Sequence, residues 1–266
     1  MKLAAITFSP EGLRVCAQLQ ETLPDLSLYV HDALPLPEKA ISFPKIMALV
    51  PAIFSQYDGI IFIAPTGLVL RALASSITSK LSDPAVVVVD VGGRTAVSLL
   101  SGHEGGANDL AVMVANIIDA EPMISTTTEA VKDLIVGIGC RKGKSQDDIM
   151  AAVIKVLRLE NIPLEKVRYL ATAEVKANEP GLLAAAKALD IPLRIISNER
   201  IRNCQQEFQP STFVKQQVNL PAVAEPVALL AGWRTSLIVR KQAHQGITIA
   251  VAQENCLSLA SAPETD

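Results

Sequence analysis

Two short runs constrain this chain more than anything else in it: DGIIFIA at 58–64 and PAVVVVD at 84–90. Ile60, Ile61, Phe62 and Ile63, like Val86, Val87, Val88 and Val89, are apolar without alternation. Successive side chains of a strand point to opposite faces, so a strand that is apolar at every position needs cover on both. The β-branched content favours strands over helices of the same length. Segments of helical period lie between such runs, and the pattern predicts an α/β fold, a mainly parallel sheet flanked by helices. Half of the residues are hydrophobic and only 4% are aromatic, so the core is expected to be built of Val, Ile, Leu and Ala.

The first half carries predicted strands at 2–8, 26–31, 58–64, 84–90, 95–100 and 122–126. A helix from Pro10 to about Leu23 is capped by Ser9, and others are expected over 45–56, with Pro51 a blemish, within 65–80, and over 106–119. Residues 32–44, which include Pro35, Pro37 and Pro44, are expected to be loop, and GGR at 92–94 is a turn returning the chain. A second α/β run follows: strands at 134–140, 167–173 and 192–197, helices at 145–159 (capped by Ser145), 179–190 and 224–232, and a closing hairpin of 235–241 with 246–252. The organisation expected is two consecutive α/β domains, 1–128 and 129–257, with a loose tail over 258–266.

The charge balance, −3 overall, gives no basic footprint for nucleic acid. Cys16, Cys140, Cys204 and Cys256 stand far apart and make no metal-type pairs, which suits reduced thiols in a cytoplasmic setting. MKLAAITFSPEG has too short an apolar part for a signal peptide, and no apolar run reaches membrane-spanning length, so no membrane partner is expected. His31, His103 and His244 are widely spaced, and no intrinsic metal or cofactor is expected.

Four constellations carry potential chemistry. In SGHEGGAN, Ser101, Gly102, Gly105, Gly106 and Asn108 surround His103 just before a helix. Glycine amides at a helix start favour anions, and an imidazole can move protons near neutrality. The same residues also suit a plain strand-to-helix connection, and pattern alone leaves both readings open. In GIGCRKGKS, Gly137, Gly139 and Gly143 give backbone freedom, Arg141, Lys142 and Lys144 bring three cations to one loop, and Cys140 adds a thiol. The alternative is a solvated basic turn. In PTGLVLR, Thr66 and Gly67 stand at a strand end, where open sheets bind ligands, and Arg71 lies within reach of an anion or of solvent. Further on, Glu174, Lys176 and Glu179 follow a strand and Glu225 opens a late helix; such carboxylates serve acid–base chemistry or simply favour helix starts.

These blocks in this order, DGIIFIAPTGLVLRAL, DPAVVVVDVGGRTAVSLLSGHEGGANDLA, GIGCRKGKS, ATAEVKANEPGL and VAEPVALLA, resemble the CbiG family of cobalamin biosynthesis, the cobalt-precorrin-5A hydrolases. The resemblance runs from about residue 58 to residue 252. It implies hydrolysis of a lactone on a cobalt-containing tetrapyrrole, with a two-carbon fragment leaving as acetaldehyde and the product passing to a methyltransferase. The cobalt would belong to the substrate. By the same resemblance His103 would activate water and the amides of Gly105 and Gly106 would polarise the carbonyl. Arg141, Lys142 and the glycine-rich amides would hold the ring's carboxylates, and Thr66, Gly67, Arg71, Ser101, Gly102, Asn108, Gly137, Gly139, Cys140, Gly143, Glu174, Lys176 and Glu225 would line the substrate. One departure stands out. Family members usually carry an additional middle segment, whereas eight residues separate Thr128 from Gly137 here. Two other readings remain: a non-catalytic carrier of corrin intermediates, and an enzyme acting on some other anionic small molecule.

Overall fold

The structure, a computed structural model, describes residues 1–204 and 223–257. It contains two compact units, Met1–Thr126 and a second that begins at Thr127. The tail expected over 258–266 lies outside the described residues.

In the first unit, β1 (Leu3–Thr7) leads into α1 (Pro10–Thr22), whose first turn is closed by the Ser9 side chain accepting the Gly12 amide at 3.0 Å. β2 (Ser27–His31) and β3 (Ile41–Phe43) follow, then α2 (Ile46–Ile53), β4 (Gly59–Ile63), α3 (Thr66–Leu73), β5 (Ala85–Val89), β6 (Thr95–Leu100), α4 (Ala107–Ile118) and β7 (Glu121–Met123). The strands form one sheet in the order β3-β2-β1-β4-β5-β6-β7, with every pairing parallel except β5 with β6. Alternation decides the layers. Ile61, Ile63, Val87 and Val89 pack into a core with α1 and α4, while Ile60, Phe62, Val86 and Val88 pack on the other side with α2 and α3. The unbroken apolar runs are therefore buried on both faces, as their composition requires.

Several boundaries differ from expectation. Part of the proline-rich loop is strand: β3 pairs with β2 and brings Phe43 into the core. The helix expected within 65–80 stops at Leu73, because the Asp83 carboxylate takes the amides of Thr78 and Ser79 and folds that stretch into a turn. The strand placed at 122–126 is β7, three residues long. Pro51 lies inside α2 on its exposed side, and the helix ends two residues later.

The second unit opens with the short helix α5 (Thr127–Ala130) and continues with β8 (Leu134–Cys140), α6 (Gln146–Leu159), β9 (Val167–Ala173), α7 (Pro180–Leu189), β10 (Leu193–Ile196) and α8 (Asn198–Asn203). Beyond them come α9 (Ala224–Leu230), β11 (Thr235–His244) and β12 (Ile247–Glu254). Neither α5 nor α8 is foreseen by periodicity, since both are too short to show any. Among the described residues the sheet order is β10-β9-β8-β12-β11. β8, β9 and β10 run parallel, and the closing hairpin adds two antiparallel strands. α6 and α7 cover one face of the sheet, over Val136 and Ile138, and α9 lies against the other.

Candidate functional site

The direction of β6 decides where the SGHEGGAN loop lies. β6 runs antiparallel to β5, pairing Leu100 with Val86 and Ala96 with Val89. Residue 101 therefore emerges at the edge where the parallel strands begin. Thr66 and Gly67 follow the end of β4 at the opposite edge. The two motifs are separated by at least the length of a five-residue strand, roughly 16 Å, and the first unit does not bring them into one site.

Within the loop, most polar groups are committed internally. Ser101 is buried with a left-handed φ of 59°, and its carbonyl accepts the amides of Gly105 and Ala107, both at 3.1 Å. A Cβ on Gly105 would stand 2.4 Å from that of Ser101, so this turn requires glycine. Gly106, with φ 81°, is the residue preceding α4. The Gly102 carbonyl accepts the Asn108 amide at 3.0 Å, and the buried Asn108 side chain accepts from Ser98 Oγ at 2.8 Å and donates to Thr126 Oγ1 at 3.0 Å. Asn108 is thus a clamp between strand, helix and the last residue of the unit. The Gly105 amide, expected to polarise a carbonyl, is donated to Ser101 instead. His103 is exposed, beside Glu104, whose carboxylate is held low by a hydrogen bond from Lys80 at 2.5 Å. The Ser101 hydroxyl is buried without a partner.

At the other edge Thr66 lines a small pocket of about 190 Å³ with Ala64, Pro65, Val88, Asp90, Val91, Thr95 and Val97. Asp90 is occupied by the turn: its carboxylate accepts from the amides of Gly92, Arg94 and Thr95 and from Thr95 Oγ1. Burial pushes Asp90 up, and these bonds outweigh it, leaving the group below the usual carboxylate range. Arg71 folds back on its own helix, Nη1 lying 3.5 Å from the Gly67 carbonyl.

The second unit does gather its motif residues. Cys140 ends β8, Arg141, Lys142, Gly143 and Lys144 follow it, and Glu174 and Lys176 follow β9, all at the edge where the parallel strands end. Glu179, immediately before α7, joins the two loops: Oε1 accepts the Gly143 amide at 2.7 Å and Oε2 accepts Lys176 Nζ at 2.9 Å. These two bonds, the lysine's first, hold its carboxyl below the ordinary glutamate range. Glu174 accepts the Asn198 amide at 3.2 Å, and Lys144 stands 3.9 Å from Asp148. Arg141 packs its stem over Gly246. Lys142 is exposed, with no ion pair among the described residues. Burial raises the Cys140 thiol, against the lowering influence of Lys176 and Lys144, so it is protonated at neutral pH.

Three expected ligand contacts have other roles. A Cβ on Gly137 would stand 1.9 Å from the Ala224 carbonyl, and one on Gly139 would stand 2.5 Å from Thr248 Oγ1. Both glycines admit neighbouring elements to β8, not a ligand. Glu225 is fully buried, and Oε1 accepts the Lys241 amide at 3.0 Å. That amide lies in an irregularity where β11 spends one residue more than β12 between the pairs at Val239 and Gln242, and Glu225 satisfies the bulged backbone. The sequence leaves Glu179 open between acid–base chemistry and a helix-start acid, and does not point to a link between loops. Its reach across 36 residues to Gly143 leaves no local signal.

Among the described residues no group of three or more His, Cys, Asp or Glu could hold a metal ion, and no helix is long and apolar enough to cross a membrane.

The second unit, with cations gathered where parallel strands end, defines an α/β protein suited to anionic small molecules. Residues 48–129 match the family described as Cobalamin synthesis G N-terminal, and residues 134–252 match Cobalamin synthesis G C-terminus. The chain belongs to the cobalamin synthesis G (CbiG) family, which gives it a place in cobalamin biosynthesis. It is 24% identical to the cobalt-precorrin-5A hydrolase of Salmonella typhimurium, over 94% of this chain and 97% of that relative. It is 26% identical to the probable cobalt-precorrin-5A hydrolase of Methanocaldococcus jannaschii, over 74% and 86%. Among solved structures, CobE, a protein from the cobalamin biosynthetic pathway, matches at 28% identity over 45% of this chain and 89% of that one, with a TM-score of 0.43. The alignment to the Salmonella relative spans 342 positions against the 266 residues here, so that relative carries residues with no counterpart in this chain.

Proposed function

We propose that this protein is a cobalt-precorrin-5A hydrolase. Water adds to the lactone carbonyl and the ring C–O bond breaks to give a carboxylate and an alcohol. The alcohol then loses its O–H proton as the C–C bond to the macrocycle breaks, the macrocycle carbon keeps the electron pair and takes a proton, and the two-carbon fragment leaves as acetaldehyde. The reading is carried by one observation: a relative named for this activity aligns over 97% of its length. The structure supports it through the edge of the second unit, where Arg141 and Lys142 follow the end of β8 and Lys176 follows the end of β9. A macrocycle fringed with acetate and propionate groups is a fitting partner for such cations. Cobalt arrives with the substrate, and the product is a methyltransferase substrate. The domains 1–128 and 129–257 are the two functional halves of the reading.

His103 is the candidate water-activating base, exposed and beside Glu104. With the Gly105 amide engaged, Gly106 is the remaining amide of the pair assigned to the carbonyl. The experiment is incubation of purified protein with cobalt-precorrin-5A and measurement of acetaldehyde. Release supports the hydrolase, and retained activity in His103→Ala removes that residue from the chemistry. A second reading, a carrier of corrin intermediates, is favoured by the residues of the Salmonella relative that have no counterpart here, taken to be the middle segment. Binding of the substrate without acetaldehyde would establish it.

A further inference from the structure

Glu179 does something unusual for a residue at the start of a helix. Its side chain makes no capping bond to α7. It turns away and joins its own segment to a loop 36 residues earlier, accepting the Gly143 amide with one oxygen and Lys176 Nζ with the other. Its side chain is 7% exposed, and both bonds are partly buried. Gly143 is held in the left-handed region, φ 80°, with open space where a side chain would be. Two residues beyond Glu179, the backbone of Gly181 rests so closely on Lys144 that a Cβ would stand 1.9 Å from its carbonyl oxygen. Loop 141–145 and segment 174–181 are therefore joined twice, by this carboxylate and by the close contact of Gly181 with Lys144.

We infer that Glu179 is the positioning residue of the anion-binding edge, an inference that rests on the reading of that edge as the place where the tetrapyrrole's carboxylates bind. By holding the Gly143 amide it fixes the turn that presents Lys142. By pairing with Lys176 it fixes an ammonium at the end of β9. Both cations then stand at set places before the ligand arrives, and their ordering cost is not charged against binding. Glu179 itself meets no substrate atom.

The probe is uroporphyrin, a tetrapyrrole polycarboxylate, titrated against the full chain and followed by its Soret band. Lys142→Ala tests the underlying reading. Glu179→Ala tests the inference, and Glu179→Gln keeps an acceptor for the Gly143 amide while removing the charge that holds Lys176. The expected result is that Glu179→Ala weakens binding about tenfold, the factor one charge-assisted hydrogen bond carries. Glu179→Gln recovers part of that loss, and exchange of the Gly143 amide quickens in Glu179→Ala while amides inside α6 are unchanged. A purely structural role would give no such partial rescue at equal folding, which circular dichroism checks. Weakened binding in Lys142→Ala with wild-type binding in Glu179→Ala overturns the inference and leaves the reading standing. Wild-type binding in Lys142→Ala removes the reading and the inference with it.

Discussion

Replacing Gly137 with alanine separates two explanations of the GIGC block. If the glycine lets a ligand approach, Gly137→Ala folds normally and loses binding. The structure argues for packing. The added Cβ would stand 1.9 Å from the Ala224 carbonyl oxygen and 2.9 Å from both Cβ and N of Ala228. The first of these is backbone, in a helix whose residues Ala224, Val227, Ala228 and Leu229 are all buried, so nothing flexible can yield. α9 must back away from β8 by about 1 Å or more, and a gap of that size forfeits a quarter to a half of the dispersion attraction across it. Overpacking against rigid neighbours belongs at the upper end of its usual range, about 3 kcal/mol. For a unit of this size that lowers the melting temperature by roughly 10 °C. Glu225 rides on the same helix, so its bond to the Lys241 amide weakens as well. Thermal unfolding followed by circular dichroism reads the effect, with Gly143→Ala as control. Gly143 has a left-handed φ and open space, so its substitution costs only about 1 kcal/mol of conformational strain. A Gly137→Ala protein that melts like the wild type would refute the packing argument.

Ser101→Gly should stabilise the first unit by about 1 kcal/mol, because it relieves a left-handed serine and removes a buried hydroxyl that has no partner. A raised denaturant midpoint at unchanged slope is the expected result, and a lowered midpoint would contradict it. Asp90 has a depressed folded pKa, so its stabilising contribution is present above its unfolded pKa and is lost as pH falls through the folded one. Asp90→Asn should therefore lower stability at neutral pH and flatten the acid limb of the stability profile; an unchanged acid limb would mean the turn does not depend on the carboxylate. Cys140, its thiol raised by burial, should react with iodoacetamide at pH 7 no faster than glutathione does. Faster alkylation would restore it as a candidate nucleophile.

The alternation of apolar strands and amphipathic helices by itself determined that both sheets exist, which strands are buried on both faces, and where Ser9 and Ser145 start helices. Those properties are local, because periodicity and capping act within a turn or two of chain. The basic loop at 141–144 was legible for the same reason. Tertiary structure alone decided what these pieces do. The GGR turn already marked β6 as a returning strand, yet that the reversal leaves His103 at the opposite edge from Thr66 is seen only once the strands are paired. Gly137 and Gly139 look like ligand-loop glycines until α9 and Thr248 are seen against them. Glu179 looks like a helix-start acid until its carboxylate is seen to close a loop 36 residues away. In each case the deciding partner is distant in sequence, and only folding brings it within the few ångströms over which packing and hydrogen bonding act.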